Sequence, residues 1–153
     1  MDSYRAAALT LASSPDGPGR ELAGTSLTIP VAATGRRDYR VKQILVVDDE
    51  LVIREVLSAL FTGEGYAVLS AGDGLAALET LAHASPDLVI ADIIMPRLDG
   101  WELLKHLRAE RPEIPVVLLS ATFRGHPPDG VVFVAKPFDI DHLLAVVARM
   151  IDP

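Results

Sequence analysis

Five short, largely aliphatic runs constrain the fold of this chain more than any other feature, and a polar residue directly follows four of them. They lie at residues 44–47, 66–70, 87–91, 116–119 and 131–135. Runs that are continuously apolar, rather than alternating, are typical of parallel strands buried on both faces of a sheet. We therefore predict a five-stranded parallel sheet that carries helices on both sides.

Between these runs, apolar residues recur at the three- and four-residue spacing of amphipathic helices. The positions expected to face the core are Val52, Ile53, Val56, Leu57 and Leu60, then Leu75, Leu78 and Leu81, then Leu103, Leu104 and Leu107, and finally Leu143, Leu144, Val147 and Ile151. Strands that alternate with helices favour right-handed crossovers. The expected fold is α/β, a flavodoxin-like doubly wound domain with strand order 2-1-3-4-5.

The connection between the fourth and fifth strands departs from this pattern. Residues 121–130 contain Gly125, Pro127, Pro128 and Gly130. A parallel crossover needs roughly ten to twelve residues in all, so this segment is long enough to cross the sheet. Proline lacks an amide donor and restricts the residue before it, which disfavours a regular helix. We predict that the fourth helix is absent or reduced to about one turn.

The N-terminal part of the chain differs in character from the rest. Residues 13–19 form a cluster rich in serine, proline and glycine, and residues 6–12 are weakly helical and slightly apolar. That apolar stretch is a poor secretory signal because it is short and is interrupted by Thr10. We predict a flexible tail over residues 1–40 and a folded domain over residues 41–153.

Composition excludes several classes of function. Half of the residues (50%) are hydrophobic, which is enough for a core, but no apolar run approaches the roughly twenty residues of a bilayer span. There is no cysteine, so a disulfide framework and a thiolate metal site are both excluded. Residues 43–153 hold 17 acidic and 8 basic residues, a net charge of −9, which disfavours non-specific binding to nucleic acid. These features suit a cytoplasmic protein that neither inserts into membranes nor binds nucleic acid directly.

Polar residues stand where four of the predicted strands end. Asp48 and Asp49 follow the first strand, Asp92 the third, Ser120 the fourth and Lys136 the fifth. These four strands are neighbours in the order 2-1-3-4-5. In open α/β sheets, ligands bind in the crevice at the carboxyl ends of the strands. We expect the five side chains to converge there.

The chemistry of these residues indicates phosphoryl transfer onto Asp92. Two carboxylates about 4 Å apart at an effective dielectric near 20 repel by on the order of 4 kcal/mol, and a hard cation removes that cost. Mg²⁺ takes one or two carboxylates and favours phosphate oxygens as further ligands. A lysine ammonium and a serine hydroxyl both suit a phosphoryl group. Aspartate itself is a nucleophile toward phosphoryl groups.

The pattern Asp48-Asp49, Asp92, Ser120-Ala121 and Lys136-Pro137-Phe138 resembles the receiver domain of two-component response regulators, over roughly residues 42–152. The segments Met95-Pro96 and Asp99-Gly100 match the loop after the acceptor strand.

This resemblance implies a role for each matching residue. Asp92 would be the phospho-acceptor and Asp49 a direct Mg²⁺ ligand, with Asp48 acting mainly through water. The main-chain carbonyl of Ile94 would be a further ligand. The remaining roles are phosphate binding and switching by Ser120, Ala121 and Lys136, with Phe133 as the switch aromatic.

The resemblance also implies a signalling phospho-acceptor rather than an enzyme, capable at most of self-phosphorylation from small donors and of autodephosphorylation. A histidine kinase or a histidine phosphotransfer protein would be the donor, and the output would be contact with a downstream protein. We expect a stand-alone receiver, and we do not expect the usual dimer mode, because part of the surface that carries it is missing with the fourth helix. The alternatives are a receiver-like scaffold that works without phosphorylation and a small phosphohydrolase with an aspartyl-phosphate intermediate.

Structural interpretations remain open beside these roles. Asp48-Asp49 could cap the first helix, since aspartate is a common N-cap. Lys136 could be a solvated loop lysine, Ser120 a capping hydroxyl and Phe133 a core residue. Four histidines lack ligand-like spacing, and Trp101 is expected to pack beside the third helix; the histidines are His83, His106, His126 and His142.

Overall fold

The computed structural model describes residues 8–9, 27–28 and 40–152 of the chain. Two compact units are present, one over Met1–Arg40 and the other over Val41–Pro153.

The described part of the first unit is a short strand pair. Ala8–Leu9 and Leu27–Thr28 run antiparallel to each other. The weakly helical interpretation of residues 6–12 is therefore wrong for Ala8–Leu9, because pairing with another strand outweighs a weak local preference. The rest of the predicted tail over residues 1–40 lies outside the described residues.

The second unit is built on five parallel strands. They are β1 Gln43–Val47, β2 Ala67–Ala71, β3 Leu88–Asp92, β4 Val116–Ser120 and β5 Val131–Ala135. Their order in the sheet is β2-β1-β3-β4-β5, and every neighbouring pair is parallel. The predicted strand order 2-1-3-4-5 is confirmed.

Four helices cover the sheet. They are α1 Leu51–Gly63, α2 Gly74–Leu81, α3 Gly100–Glu110 and α4 Ile140–Ile151. Three of them, α2, α3 and α4, have an aspartate at the N-cap. A side-chain oxygen of Asp73, Asp99 or Asp139 accepts a hydrogen bond from an amide in the first turn of its helix. Residues 121–130 contain no helix, which confirms the prediction for the β4–β5 connection.

The helices divide between the two faces of the sheet. Alternate residues of a strand point to opposite faces, so Ile44 and Val46 lie on one side and Leu45 on the other. The face of Ile44 packs against α1 and α4, and the face of Leu45 packs against α2 and α3. Because all five strands run parallel, their carboxyl ends lie at one edge of the sheet, between the two layers of helices.

Some of the predicted core positions on α1 and α2 are wrong. Val52 and Val56 are 68% and 45% exposed, whereas Phe61 is fully buried beside Leu57. On α2, Leu75 is exposed. Apolar residues cover more than one side of each of these helices, and contact with the sheet decides which side turns inward.

The side chain of Arg108 on α3 binds main-chain carbonyls that precede β4 and β5. Its guanidinium donates hydrogen bonds to the carbonyls of Pro112 and Ile114, at 3.1 and 3.0 Å, and to that of Gly130 at 3.2 Å. Gly130 has a φ of +76°, a conformation that favours glycine, and its carbonyl also accepts from Val116 at the start of β4. One side chain therefore ties the C-terminal end of the β4–β5 connection to the segment that precedes β4.

Three aromatic rings pack over the same face of the sheet. Phe123 stacks on Phe133 with ring centroids 3.9 Å apart, and Trp101 contacts both rings at 5.4 and 5.5 Å. All three pack against the core cluster that includes α2 and α3. Side chains thus supply part of the cover that a helix would otherwise give.

Within the described residues, none of the helices combines the length and the apolar character needed to cross a bilayer.

Replacing Arg108 by alanine is expected to lower the free energy of unfolding by about 1–3 kcal/mol, because three carbonyls lose a charged donor. Arg108→Lys should recover only part of this loss, since an ammonium lacks the planar fork. The measurement is chemical denaturation, with Lys105→Ala on the exposed side of the same helix as control, expected within about 0.5 kcal/mol of wild type. Equal stabilities of the two alanine variants would contradict this role.

Candidate functional site

The carboxyl ends of four neighbouring strands bring the predicted site residues to one edge of the sheet. In the parallel ladders, Val47 of β1 pairs with Ala91 of β3, and Ser120 of β4 pairs with Ala135 of β5. The residues that follow these positions therefore emerge together. The structure brings together Asp48, Asp49, Asp92 and Lys136, as the sequence predicts.

The ammonium group of Lys136 lies between two of these carboxylates. Its Nζ donates to Oδ2 of Asp48 and to Oδ2 of Asp92, both at 3.1 Å. The Asp48 side chain is fully buried, and those of Asp92 and Lys136 are 12% and 18% exposed. The interpretation of Lys136 as a solvated loop lysine is therefore wrong.

The pKa of Lys136 reflects this environment. Partial burial acts to lower it, but the hydrogen bonds and negative charges of Asp92 and Asp48 outweigh burial and raise the pKa above its ordinary value. The lysine is therefore a fixed positive charge at neutral pH.

The three aspartates form a cluster of oxygen ligands. One carboxylate oxygen each from Asp48, Asp49 and Asp92 lies within 4.8 Å of the other two. Lys136 offsets the charges of Asp48 and Asp92 only, and Asp49 is exposed at the rim. Hard oxygen donors and an excess of negative charge fit a divalent cation such as Mg²⁺.

The alternative role of the Asp48-Asp49 pair, capping α1, does not describe the structure. The residue at the N-cap is Glu50, whose side chain makes no capping hydrogen bond. Oδ1 of Asp48 accepts from the amide of Glu50 at 2.9 Å, and its main-chain carbonyl accepts from Arg54 at 2.6 Å. These bonds fix Asp48 with its second oxygen turned toward Lys136. Sequence reasoning missed Arg54, which lies one turn into α1.

Ser120 caps the connection that follows it. Its Oγ accepts hydrogen bonds from the amides of Thr122 and Phe123, at 3.1 and 2.9 Å. The capping interpretation left open by the sequence is therefore correct. It does not conflict with a phosphate-binding role, because a hydroxyl that accepts two bonds still has one proton to donate.

Phe133 is a partly buried ring of the aromatic group with Trp101 and Phe123, so its core interpretation also holds. Sequence reasoning missed Phe123, whose amide binds Ser120 while its ring stacks on Phe133. No local pattern signals this contact, since it depends on the path of an irregular segment.

An open cleft lies above the acidic cluster, with residues from all the converging strand ends in its lining: Asp49, Glu50, Asp92, Ile94, Ser120, Ala121 and Lys136. The start of α3 is tightly packed against the main chain of Asp92 at Gly100. A β-carbon at that position would lie 2.5 Å from the carbonyl oxygen of Asp92, so only glycine fits.

Comparison with known proteins identifies the family of the chain. The response regulator receiver domain family matches residues 44–148. The chain is 47% identical over 81 residues to the Regulator of RpoS of Escherichia coli strain K12, covering 53% of this chain and 24% of that protein. It is 36% identical over 115 residues to the probable transcriptional regulatory protein TcrX of Mycobacterium tuberculosis, covering 71% of this chain and 49% of that protein.

A solved structure gives the same result. The response regulator protein TrrA from Thermotoga maritima, in complex with Mg²⁺-BeF, aligns with a TM-score of 0.65 at 34% identity, over 72% of this chain and 99% of that one. The chain spans between a quarter and half the length of the two curated relatives, so its expected stand-alone nature stays a prediction. By fold and by sequence, the chain belongs to the response regulator receiver domain family of two-component systems.

Proposed function

We propose that the domain accepts one phosphoryl group on Asp92, with Mg²⁺ held directly by Asp49, Asp92 and the main-chain carbonyl of Ile94 and by Asp48 mainly through water. The observation that carries this proposal is the Lys136 ammonium at 3.1 Å from Asp92, within a cluster in which Asp92 lies close to the carboxylates of Asp48 and Asp49. A nucleophile, a fixed positive charge and a cation-binding set of oxygens are the parts that phosphoryl transfer needs.

In the reaction, an oxygen of the Asp92 carboxylate bonds to the phosphorus of a phosphohistidine on the donor protein. The bond from that phosphorus to the histidine nitrogen breaks. The electron pair of that bond stays on the leaving nitrogen. An ionised carboxylate has no proton to lose, so no general base is required. When bound, Mg²⁺ would neutralise charge on the phosphoryl oxygens and among the carboxylates.

Residues of the chain itself hold the product. Lys136 is placed to pair with a phosphoryl oxygen, because its ammonium already donates to Asp92. The hydroxyl of Ser120 has a proton to donate, and Ala121 lines the same cleft. An acyl phosphate on Asp92 would thus be surrounded by donors from β4 and β5.

The donor proposed here is a histidine kinase or a histidine phosphotransfer protein, and the output is a protein contact in the cytoplasm. The net charge of −9 over residues 43–153 makes direct binding to nucleic acid unfavourable. A turnover enzyme is not favoured. A phosphohydrolase of this kind needs a general acid, which is expected two residues after Asp92. In this chain that position is Ile94, whose side chain is apolar and 72% exposed.

Incubation with acetyl phosphate and Mg²⁺, followed by intact mass measurement, tests the proposal. Wild type is expected to gain the mass of one phosphoryl group, and Asp92→Asn is expected to gain none. Asp129→Asn, an exposed aspartate in the β4–β5 connection, is the matched control and should gain the same mass as wild type. An unmodified wild type would favour a scaffold that works without phosphorylation. Equal modification of Asp92→Asn would place the acceptor elsewhere.

Replacing Asp49 by asparagine is expected to have opposite effects with and without metal. In metal-free buffer the free energy of unfolding of the variant should exceed that of wild type by up to about 1 kcal/mol. The reason is that the substitution removes the exposed charge of Asp49, which repels the charges of the other two aspartates. Added Mg²⁺ should stabilise wild type by mass action but stabilise the variant much less. Thermal unfolding with a chelator and with saturating Mg²⁺ measures both effects.

Asp129→Asn is again the control and should follow wild type in both conditions. If Mg²⁺ raises the melting temperature of Asp49→Asn as much as that of wild type, Asp49 is not a ligand.

A further inference from the structure

The loop between β3 and α3 contains a strained residue. Arg97 has a φ of +66°, and it is the one non-glycine residue with a positive φ in the part of the chain that the structure describes. The amide of Leu98 donates to the carbonyl of Pro96 at 2.8 Å. A bond from residue i+2 to residue i across a positive φ defines a γ-turn of the rare, strained kind. A side chain other than glycine persists in such a conformation only where its surroundings hold it.

Asp73 supplies that support. Its Oδ2 accepts from Nε of Arg97 at 2.7 Å and also from the neighbouring guanidinium nitrogen. Its Oδ1 caps α2 by accepting from the amide of Ala76 at 2.9 Å. The Ala76 amide and then the Arg97 guanidinium lower the pKa of Asp73 below its usual value. Asp73 is only 6% exposed, so its charge depends on these two partners.

The backbones of the two segments also meet. The amide of Gly74 donates to the carbonyl of Leu98 at 3.2 Å, and a β-carbon on Gly74 would lie 2.5 Å from that oxygen. The turn before α2 therefore holds two consecutive loop residues, Arg97 through its side chain and Leu98 through its carbonyl.

The other end of the loop is held against β3 itself. The amide of Gly100 donates to the carbonyl of Ile93 at 2.8 Å, and the amide of Ile93 donates to Leu119 of β4 at 3.1 Å. Residues 94–96 lie between these two anchors, with Met95 buried in the core, and Ile94 lines the cleft beside Asp92. Because only two residues separate Ile94 from Arg97, the conformation of the turn bears on where Ile94 lies.

We infer that Asp73 and Arg97 are positioning residues for the phosphoryl-transfer site: their ion pair holds the strained turn and thereby keeps the main-chain carbonyl of Ile94 beside Asp92. This inference rests on the proposed function, in which that carbonyl is a Mg²⁺ ligand. The competing interpretation is that Asp73 only caps α2 and that Arg97, whose side chain is 62% exposed, adds a surface ion pair with no effect on the site.

Four variants separate the two interpretations. Arg97→Ala keeps the strain and loses the ion pair, whereas Arg97→Gly loses both, because glycine adopts a positive φ freely. Asp73→Ser keeps a good N-cap for α2 but removes the charge. The control is Arg124→Ala, which removes the same charge from an exposed position in the β4–β5 connection.

The first measurement is Mg²⁺ affinity by calorimetry, at a temperature where every variant is folded. Arg97→Ala and Asp73→Ser are expected to bind Mg²⁺ about fivefold more weakly or worse, in line with the strain of one left-handed residue. Arg97→Gly should stay close to wild type, and adding Asp73→Ser to it should cause little further loss. Loss of a positive charge alone would strengthen Mg²⁺ binding, so Arg124→Ala should bind at least as tightly as wild type.

The second measurement is amide hydrogen exchange in metal-free protein. The amides of Gly74 and Leu98 should exchange faster in Arg97→Ala and Asp73→Ser than in wild type, and Arg97→Gly should be affected least. This readout does not depend on phosphorylation.

Wild-type Mg²⁺ affinity in Arg97→Ala and Asp73→Ser would overturn the inference, as would equal losses in Arg97→Ala and Arg97→Gly. The proposed function would survive either result if Asp92 still gains a phosphoryl group in the mass experiment. A wild type that binds no Mg²⁺ would overturn both.

Discussion

The interaction on which the rest of this site depends is the contact of one ammonium group with two carboxylates. Lys136 Nζ lies 3.1 Å from both Asp48 and Asp92, which are 88 and 44 residues away in sequence. Without it, two largely buried negative charges would face each other at the end of neighbouring strands, at a cost of several kcal/mol. The parallel sheet makes the contact possible, because every strand delivers its C-terminal residue to the same edge. Asp49 adds a charge that the lysine does not offset, and this excess suits a divalent cation.

Near that contact, individual side chains stabilise the region where a helix between β4 and β5 is missing. There, Arg108 joins the end of the connection at Gly130 to Pro112 before β4, and Phe123 stacks on Phe133 over the sheet. The amide of Phe123 also binds the hydroxyl of Ser120 at the edge of the cleft. The irregular segment is therefore linked to the site by a hydrogen bond and to the core by the ring of Phe123. A movement of the Ser120 side chain would act directly on this segment.

The fold and most of the residues that meet at the site can be predicted from the sequence, because both depend on patterns that are visible along the chain. Continuous aliphatic runs specify buried parallel strands, and a polar residue at the end of each run has only one edge to occupy. The inward face of α1 does not follow, since Val52 and Phe61 are equally apolar and packing alone buries the second. Nor does the pair of Asp73 and Arg97, because it involves an arginine in a left-handed conformation that the local sequence disfavours.

The metal site is tested most directly by an anomalous difference map from crystals soaked with Mn²⁺, which takes the same oxygen ligands as Mg²⁺. We expect one strong peak in contact with the carboxylates of Asp49 and Asp92, with the Lys136 ammonium still within hydrogen-bond distance of Asp92. A peak on another surface, or no peak and a Lys136 side chain turned toward solvent, would contradict it.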